Sequence, residues 1–336
     1  MYREEQLINR VRRRFPFTGD GLRVGIGDDA AVLRPNPGKE WVVTTDAFLE
    51  NVHFLRKAHP AKVVGYKALA RATSDIAAMG AHARYFFLTL GIPEACTGVW
   101  LDDFLRGMSR VASRFGLTLA GGDTTKYPKV VMSLTVMGEI SRGKTILRSG
   151  AVPGDLICVS GKLGEAELGW KIIQRKLHRQ KRWARLLKKH FYPQPRLALG
   201  EWLAEHRYAT SMIDTSDGLS SDLNHICKAT GVGAKVWSDK IPAVRVPAEL
   251  RRGGLDPLNL ALNGGEDYEL LFTVPKKFSK HMPGKVAGIP VTIIGEITRE
   301  KTIILLGPDG VKTPIEPKGW DPFQLGHGNV VPLHRN

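Results

Sequence analysis

The sequence predicts a mixed α/β (α+β) chain of two domains. Three observations carry that expectation: strand-like runs interleave with helical periodicity, the chain has 336 residues, and glycine and proline cluster near its middle. Compact domains usually run roughly 100–200 residues, so a chain of this length divides into about two. The cluster at 148–155 (Arg-Ser-Gly-Ala-Val-Pro-Gly-Asp) precedes a fresh apolar run, which sets the expected division at 1–148 and 149–336.

In chain order, Glu4 to Phe15 places Leu7, Val11 and Phe15 four residues apart, the stripe of a short helix. Trp41–Thr45, Tyr85–Leu90, Leu117–Ala120 and Val130–Met137 are rich in β-branched or aromatic residues and read as strands. Helical patterns lie between them at Lys62–Met79 and Asp102–Phe115. Past the division come a strand at Leu156–Ser160, a helix from Gly164, and a basic stretch from Arg175 to Lys189 expected as a solvated helical hairpin. A proline joint at 193–195 leads into another helix, and strands are expected at Leu270–Val274 and Val291–Ile294.

Composition narrows the function classes. Hydrophobic residues at 43% and charged residues at 24% match ordinary globular domains and exclude a disordered or fibrous chain. The sequence has no apolar run of the roughly 18 residues a membrane span requires, and its charged start has no signal-peptide core. Cys96, Cys158 and Cys227 are few, odd in number and far apart, which suits the cytoplasm and offers no zinc spacing. The balance of 49 Lys+Arg over 33 Asp+Glu gives a net charge of +16, which raises the question of nucleic acid.

The acids answer it differently. Aspartates recur in Gly- or Thr-rich turns beside predicted strands: Asp28 and Asp29 in GIGDDAA, Asp46 after Thr44 and Thr45, Asp75 after Ser74, Asp123 in GGDTT, and Asp214 and Asp217 in DTSDG. A polyphosphate needs its charge neutralised, and Mg²⁺ does so through hard oxygen ligands while glycine lets backbone amides approach the phosphates. Singly, each acid has a plain structural role. Asp75 follows Arg71 by four residues and could pair with it, Asp217 could sit at the N-terminus of a helix over 219–227, and Glu266 and Asp267 could cap a strand. The repetition of five such turns points to a metal–phosphate site. Acidic turns of that kind would also repel nucleic acid, which is therefore not expected as a partner. P-loop, dinucleotide-fold and protein-kinase motifs are all missing, as is any Ser/His/Asp or Cys/His nucleophile, leaving direct metal-assisted transfer.

Eight blocks together resemble the thiamine-monophosphate kinase family of the aminoimidazole-ribonucleotide-synthetase-like superfamily. They are VGIGDDAAVL from Val24, TTDAFLENVHF from Thr44, YKALARATSDIAAMGA from Tyr66, LAGGDTT from Leu119, LRSGAVPGD from Leu147, IDTSDGLSSDL from Ile213, NGGEDYELLFT from Asn263 and KGWDPF from Lys318. The resemblance implies an N-terminal domain that binds ATP and magnesium and whose sheet pairs across a homodimer, with a C-terminal α/β domain closing the site. It implies transfer of the ATP γ-phosphoryl group to thiamine monophosphate, the final step of thiamine diphosphate biosynthesis. Asp29, Thr44, Thr45, Asp46, Asp75, Asp123, Asp214 and Asp217 resemble the ligands of several Mg²⁺ ions. Gly122, Asp123, Arg148 and Ser216 resemble ATP contacts, with Asp123, Asp217 and Arg148 nearest the chemistry. His53, Glu266 and Trp320 resemble substrate contacts, Trp320 suited to stacking on a cationic ring. Selenophosphate synthetases, by contrast, usually carry a reactive Cys in the N-terminal glycine-rich loop, and Gly19–Ala31 has none.

Overall fold

The computed structural model describes residues 4–15, 21–26, 30–34, 36–278 and 282–320. The described residues form two compact units, one made by residues up to 76 and 82–143, the other by 77–81 and 144–320.

In the first unit, helix α1 (Glu4–Arg14) is followed by a short antiparallel pair, β1 (Leu22–Val24) and β2 (Val32–Leu33). Strand β3 (Lys39–Leu49), helix α2 (Ala61–Ala78), strand β4 (His82–Ile92), helix α3 (Val99–Phe115) and strands β5 (Thr118–Lys126) and β6 (Val131–Ser141) complete it. Four strands form one sheet in the order β3-β6-β4-β5, with β4 and β5 parallel across α3 and the other pairs antiparallel. Period-2 alternation sorts the residues to the two faces. Met132, Leu134 and Val136 are buried on the face that also carries Thr44, Asp46 and Phe48, their register partners. The opposite face presents Val43, Thr45 and Ala47, all exposed. Helices α2 and α3 approach closely because glycines face the crossing: a Cβ on Gly65 would lie 1.9 Å from the Phe104 carbonyl oxygen, and one on Gly107 1.9 Å from that of Lys62.

In the second unit, β7 (Leu156–Ser160) leads to α4 (Glu165–Gln174), the short α5 (Lys188–Phe191) and α6 (Leu197–Glu205). Then come β8 (Ser211–Asp214), α7 (Leu219–Thr230), β9 (Gly233–Trp237), α8 (Ala248–Arg252), α9 (Pro257–Asn263) and β10 (Leu270–Val274). Strands β11 (Lys285–Val286), β12 (Ile289–Thr298), β13 (Ile303–Leu306) and β14 (Lys312–Pro314) end it. The eight strands form one sheet in the order β14-β13-β9-β12-β7-β10-β8, with β11 hanging on β12. Strands β7 and β10 are buried at every residue, which is why they read as unbroken apolar runs rather than alternating ones. Ile157, Val159, Leu223, Ile226, Leu271 and Ile294 belong to the core beneath them.

The basic stretch is not the expected helical hairpin. Lys176 takes a left-handed backbone conformation that stops α4, and turns carry the chain to α5. Three of its cations have partners: Arg175 donates to the Gly253 carbonyl, Arg182 makes two bonds to Glu249, and Lys189 pairs with the buried Glu269. Trp183, Leu187 and His190 anchor the turns in the core. A helix would turn those anchors and the paired cations away from their partners.

Candidate active site

The acids expected in turns lie in regular elements instead, Asp46 within β3, Asp75 within α2, Asp123 within β5 and Asp214 at the end of β8, because strand pairing and helix periodicity continue through them. Asp46 and Asp75 come together on the helix-covered face of β3. Thr44 Oγ1 donates to Asp75 Oδ2 at 2.5 Å, joining β3 to α2. Arg71 binds Asp46 through two bonds, Nε to Oδ2 at 2.7 Å and Nη2 to Oδ1 at 3.0 Å. Arg71, four residues before Asp75, thus serves Asp46. Strand alternation turns Thr45 to the opposite face, where its hydroxyl lies 2.9 Å from that of Thr135.

The Arg71 guanidinium also lies 5.3 Å from the centre of the Phe48 ring, on which His53 stacks at 5.6 Å. Leu49 N donates to His53 Nδ1 at 3.0 Å, so the neutral ring carries its proton on Nε2. Burial, reinforced by the positive charges of Arg71 and Lys67, pushes the His53 pKa down to about 3. Because the folded value lies below the ordinary 6.5, the stability His53 contributes is complete above pH 6.5 and is lost as the pH falls toward 3. Imidazole NMR is expected to show one Nε2–H tautomer with no titration between pH 8 and 5, and a midpoint near 6.5 would contradict the placement.

Asp123 lies on β5, exposed, at the wall of a cavity of about 750 Å³ that Gly25, Ile26, Gly121, Gly122 and Thr124 also line. Gly122 is fixed by the parallel pairing with β4: an added Cβ would fall 1.9 Å from the Leu88 carbonyl oxygen. Gly122→Ala is expected to cost about 1–3 kcal/mol by overpacking. Urea unfolding checks this, and an unchanged midpoint would contradict the close approach. Asp29 lies outside the described residues.

In the second unit three segments far apart in sequence meet at the start of α7. Glu266 N donates to the Ser216 carbonyl at 2.8 Å, Tyr268 N to that of Thr215 at 2.9 Å, and Trp320 N to that of Asp217 at 3.2 Å. Gly319 N donates to Ser221 Oγ at 3.0 Å. Glu266 holds a left-handed backbone, φ 65°, and its carboxylate lies 3.3 Å from Nδ1 of the buried His190. Asp214 and Asp217 bracket the turn before α7, where Asp222 is buried with Oδ2 accepting the Gly218 N–H at 3.0 Å. Burial, helped by the negative charges of Asp217 and Asp214, raises the Asp222 pKa well above the ordinary carboxylate range. Arg148 is exposed, and its charge, after burial, helps lower the pKa of His225.

Two further acids are structural. Asp267 accepts the Gly164 and Ala166 N–H groups and so caps α4 rather than a strand. Burial pushes its pKa up to about 7 against the opposing pull of Lys189 and those amides. Glu269, fully buried, receives Lys189, Arg196 and Ser160 Oγ.

Carboxylates and hydroxyls on both units are hard oxygen donors, so the chemistry of the set fits magnesium. Among the described residues no three acids, histidines or cysteines lie together as a ready-made metal site. A cation at Asp46 would also have to displace Arg71. Sequence reasoning missed His190 and Asp222 as supports of the site, and offered Arg71 only as a partner of Asp75, four residues on, not of Asp46.

The chain matches the family model described as AIR synthase related protein, N-terminal domain, over residues 27–140, and the corresponding C-terminal domain over 152–307. It is 36% identical over 324 residues to the thiamine-monophosphate kinase of Salmonella typhimurium, covering 95% of this chain and 98% of that protein. The crystal structure of thiamine-monophosphate kinase from Stenotrophomonas maltophilia is similar at a TM-score of 0.80 and 35% identity, over 91% of this chain and 96% of that one. A structure of AaThiL complexed with AMPPCP and TMP is similar at a TM-score of 0.75 and 30% identity, over 96% and 99% of the two chains.

Proposed function

The chain belongs to the thiamine-monophosphate kinase family, and we propose that its recurring acids carry magnesium-assisted transfer of the ATP γ-phosphoryl group to the phosphate of thiamine monophosphate. The products are ADP and thiamine diphosphate. The observation that carries the site assignment is the convergence of Ser216–Asp217, Glu266 and Trp320 on one turn, although 50 to 100 residues of chain separate them. That convergence gives a reason for three separate motifs in one sequence.

Asp29, Asp46, Asp75, Asp123, Asp214 and Asp217, with Thr44 and the main-chain oxygen of Thr45, would hold magnesium, which would supply neutralisation of the phosphate charge. Arg148 and Ser216 bind the nucleotide, and the Gly122 backbone lies open to its phosphates. His53 offers Nε2–H as a neutral donor to the substrate, Glu266 is oriented by His190, and Trp320 stacks on the cationic ring. No protein base is required, because the acceptor phosphate oxygen is already ionised near pH 7. Positioning and charge neutralisation supply the acceleration.

The test is product formation: the purified chain with ATP, Mg²⁺ and thiamine monophosphate should release ADP and thiamine diphosphate in equal amounts. Absence of thiamine diphosphate, with turnover of another superfamily substrate, would overturn the proposal.

The enzyme acts in the cytoplasm as a homodimer on this reading. No described helix is long and apolar enough to cross a membrane. Strand β3 ends its sheet, and its Val43, 56% exposed, stands on the face opposite the one that meets α2. Sedimentation at micromolar concentration should give twice the chain mass of 37.1 kDa, and a monomer alone would contradict the pairing.

A further inference from the structure

A second pocket lies in the C-terminal unit, in the basic stretch that the kinase reaction leaves without a role. It has a volume of about 270 Å³, and Arg185, Lys188, Lys189 and Arg196 line it together with Glu165 and Tyr192. Lys189 and Arg196 are well inside the protein, with side chains 13% and 17% exposed. Both are paired with the single carboxylate of Glu269, so two partly buried cations share one negative charge. At the rim, the side chains of Arg185 and Lys188 have no ion pair or hydrogen bond among the described residues, unlike Arg182 and Arg175 in the same stretch. Four cations face Glu165, Glu269 and Asp267, the last with its carboxyl raised to about 7 by burial against the pull of Lys189, so the pocket keeps a net positive charge, which is the complement of an anion.

We propose that this pocket binds a phosphate group, as the free ion or as a small monoester. Arg and Lys together suit such a ligand, Arg through its forked donors and Lys as a point charge. The pocket falls just under the roughly 300 Å³ at which sites for larger organic ligands begin, so a phosphate with at most a small substituent fills it. Its charge supplies what Glu269 alone does not, since a cation held away from water is costly until it is paired. Occupancy also reaches the substrate side of the unit. Lys189 of the pocket is followed directly by His190, whose ring contacts Glu266.

The experiment is calorimetric titration of the full chain preloaded with Mg²⁺, a non-hydrolysable ATP analogue and thiamine monophosphate, so that phosphate sites of the kinase reaction are filled. Inorganic phosphate and glycerol phosphate are titrated separately. The expected result is one site per chain for at least one of them. Stronger binding of the first identifies the free ion as the ligand, and stronger binding of the second a monoester. The double variant Arg185→Gln/Lys188→Gln should weaken binding by about tenfold or more. It should keep its unliganded melting temperature and basal kinase rate, because neither side chain touches Glu269 or the reaction site. No binding of either probe to the parent chain, or equal binding by parent and variant, would overturn the proposal. So would capture of a single-stranded RNA oligonucleotide by the stretch without any phosphate binding.

Discussion

Asp123→Asn and Asp217→Asn are each expected to lower kcat on the order of a thousandfold, equivalent to about 4 kcal/mol of transition-state stabilisation, while leaving the fold intact. The amide keeps the size and most of the hydrogen-bonding shape of the carboxylate but lacks the charge that a hard cation requires. Asp123 is exposed on β5, so no buried partner is lost. At Asp217 the expectation on stability even has a sign: its charge is one of those that press on buried Asp222, so removing it relieves a like-charge contact. Raised Mg²⁺ should recover part of the lost activity. Steady-state kinetics beside thermal melting separates the effects. Near-normal turnover with several degrees lost in melting temperature would show that the residue is a structural turn acid and not a metal ligand.

The second large effect is expected at Glu269, where stability rather than chemistry is at stake. Glu269→Ala leaves Lys189 and Arg196 without their shared counter-charge, a change expected to cost roughly 3–5 kcal/mol. Burial pushes the Glu269 carboxyl up, but Lys189 and Arg196 outweigh burial and hold it below its ordinary value of 4.5. With the folded value depressed, its contribution is fully present above pH 4.5 and is lost as the pH falls through the lower folded value. Urea unfolding at neutral and acid pH should therefore show a large difference between parent and variant near pH 7 that narrows in acid. A loss below about 1 kcal/mol at pH 7, of the size exposed ion pairs give, would contradict the buried placement.

Much of the first unit was legible because its elements are long and their periods unmixed. Trp41–Thr45 and Val130–Met137 are dense in β-branched and aromatic residues, and they fall in β3 and β6, which pair along their whole length. Strands β8, β9 and β13 escaped notice because four or five residues are too few to establish a period, and β8 ends in the polar Asp214. The basic stretch misled for a different reason. Its cations are mostly exposed, as their density implied, but the partners that hold Arg182 and Lys189 in turns rather than a hairpin, Glu249 and Glu269, lie 67 and 80 residues downstream. The acids of the site announced themselves by recurring beside Gly, Ser and Thr, although Asp46, Asp75 and Asp123 lie within β3, α2 and β5 rather than in turns, whereas their supports gave no such signal. Arg71 reaches Asp46 across 25 residues, and Asp267 caps a helix that begins about 100 residues before it. Local pattern marks a residue as unusual, and only the packed topology supplies its partner.

The central claim is that the γ-phosphoryl group passes directly from ATP to the phosphate of thiamine monophosphate. The most direct measurement uses ATP labelled in its γ-phosphorus, with thiamine monophosphate and free thiamine in parallel reactions. Direct transfer puts label in the terminal phosphate of thiamine diphosphate, in step with ADP, and none on free thiamine. Label recovered only as inorganic phosphate, or carried onto free thiamine, would contradict it.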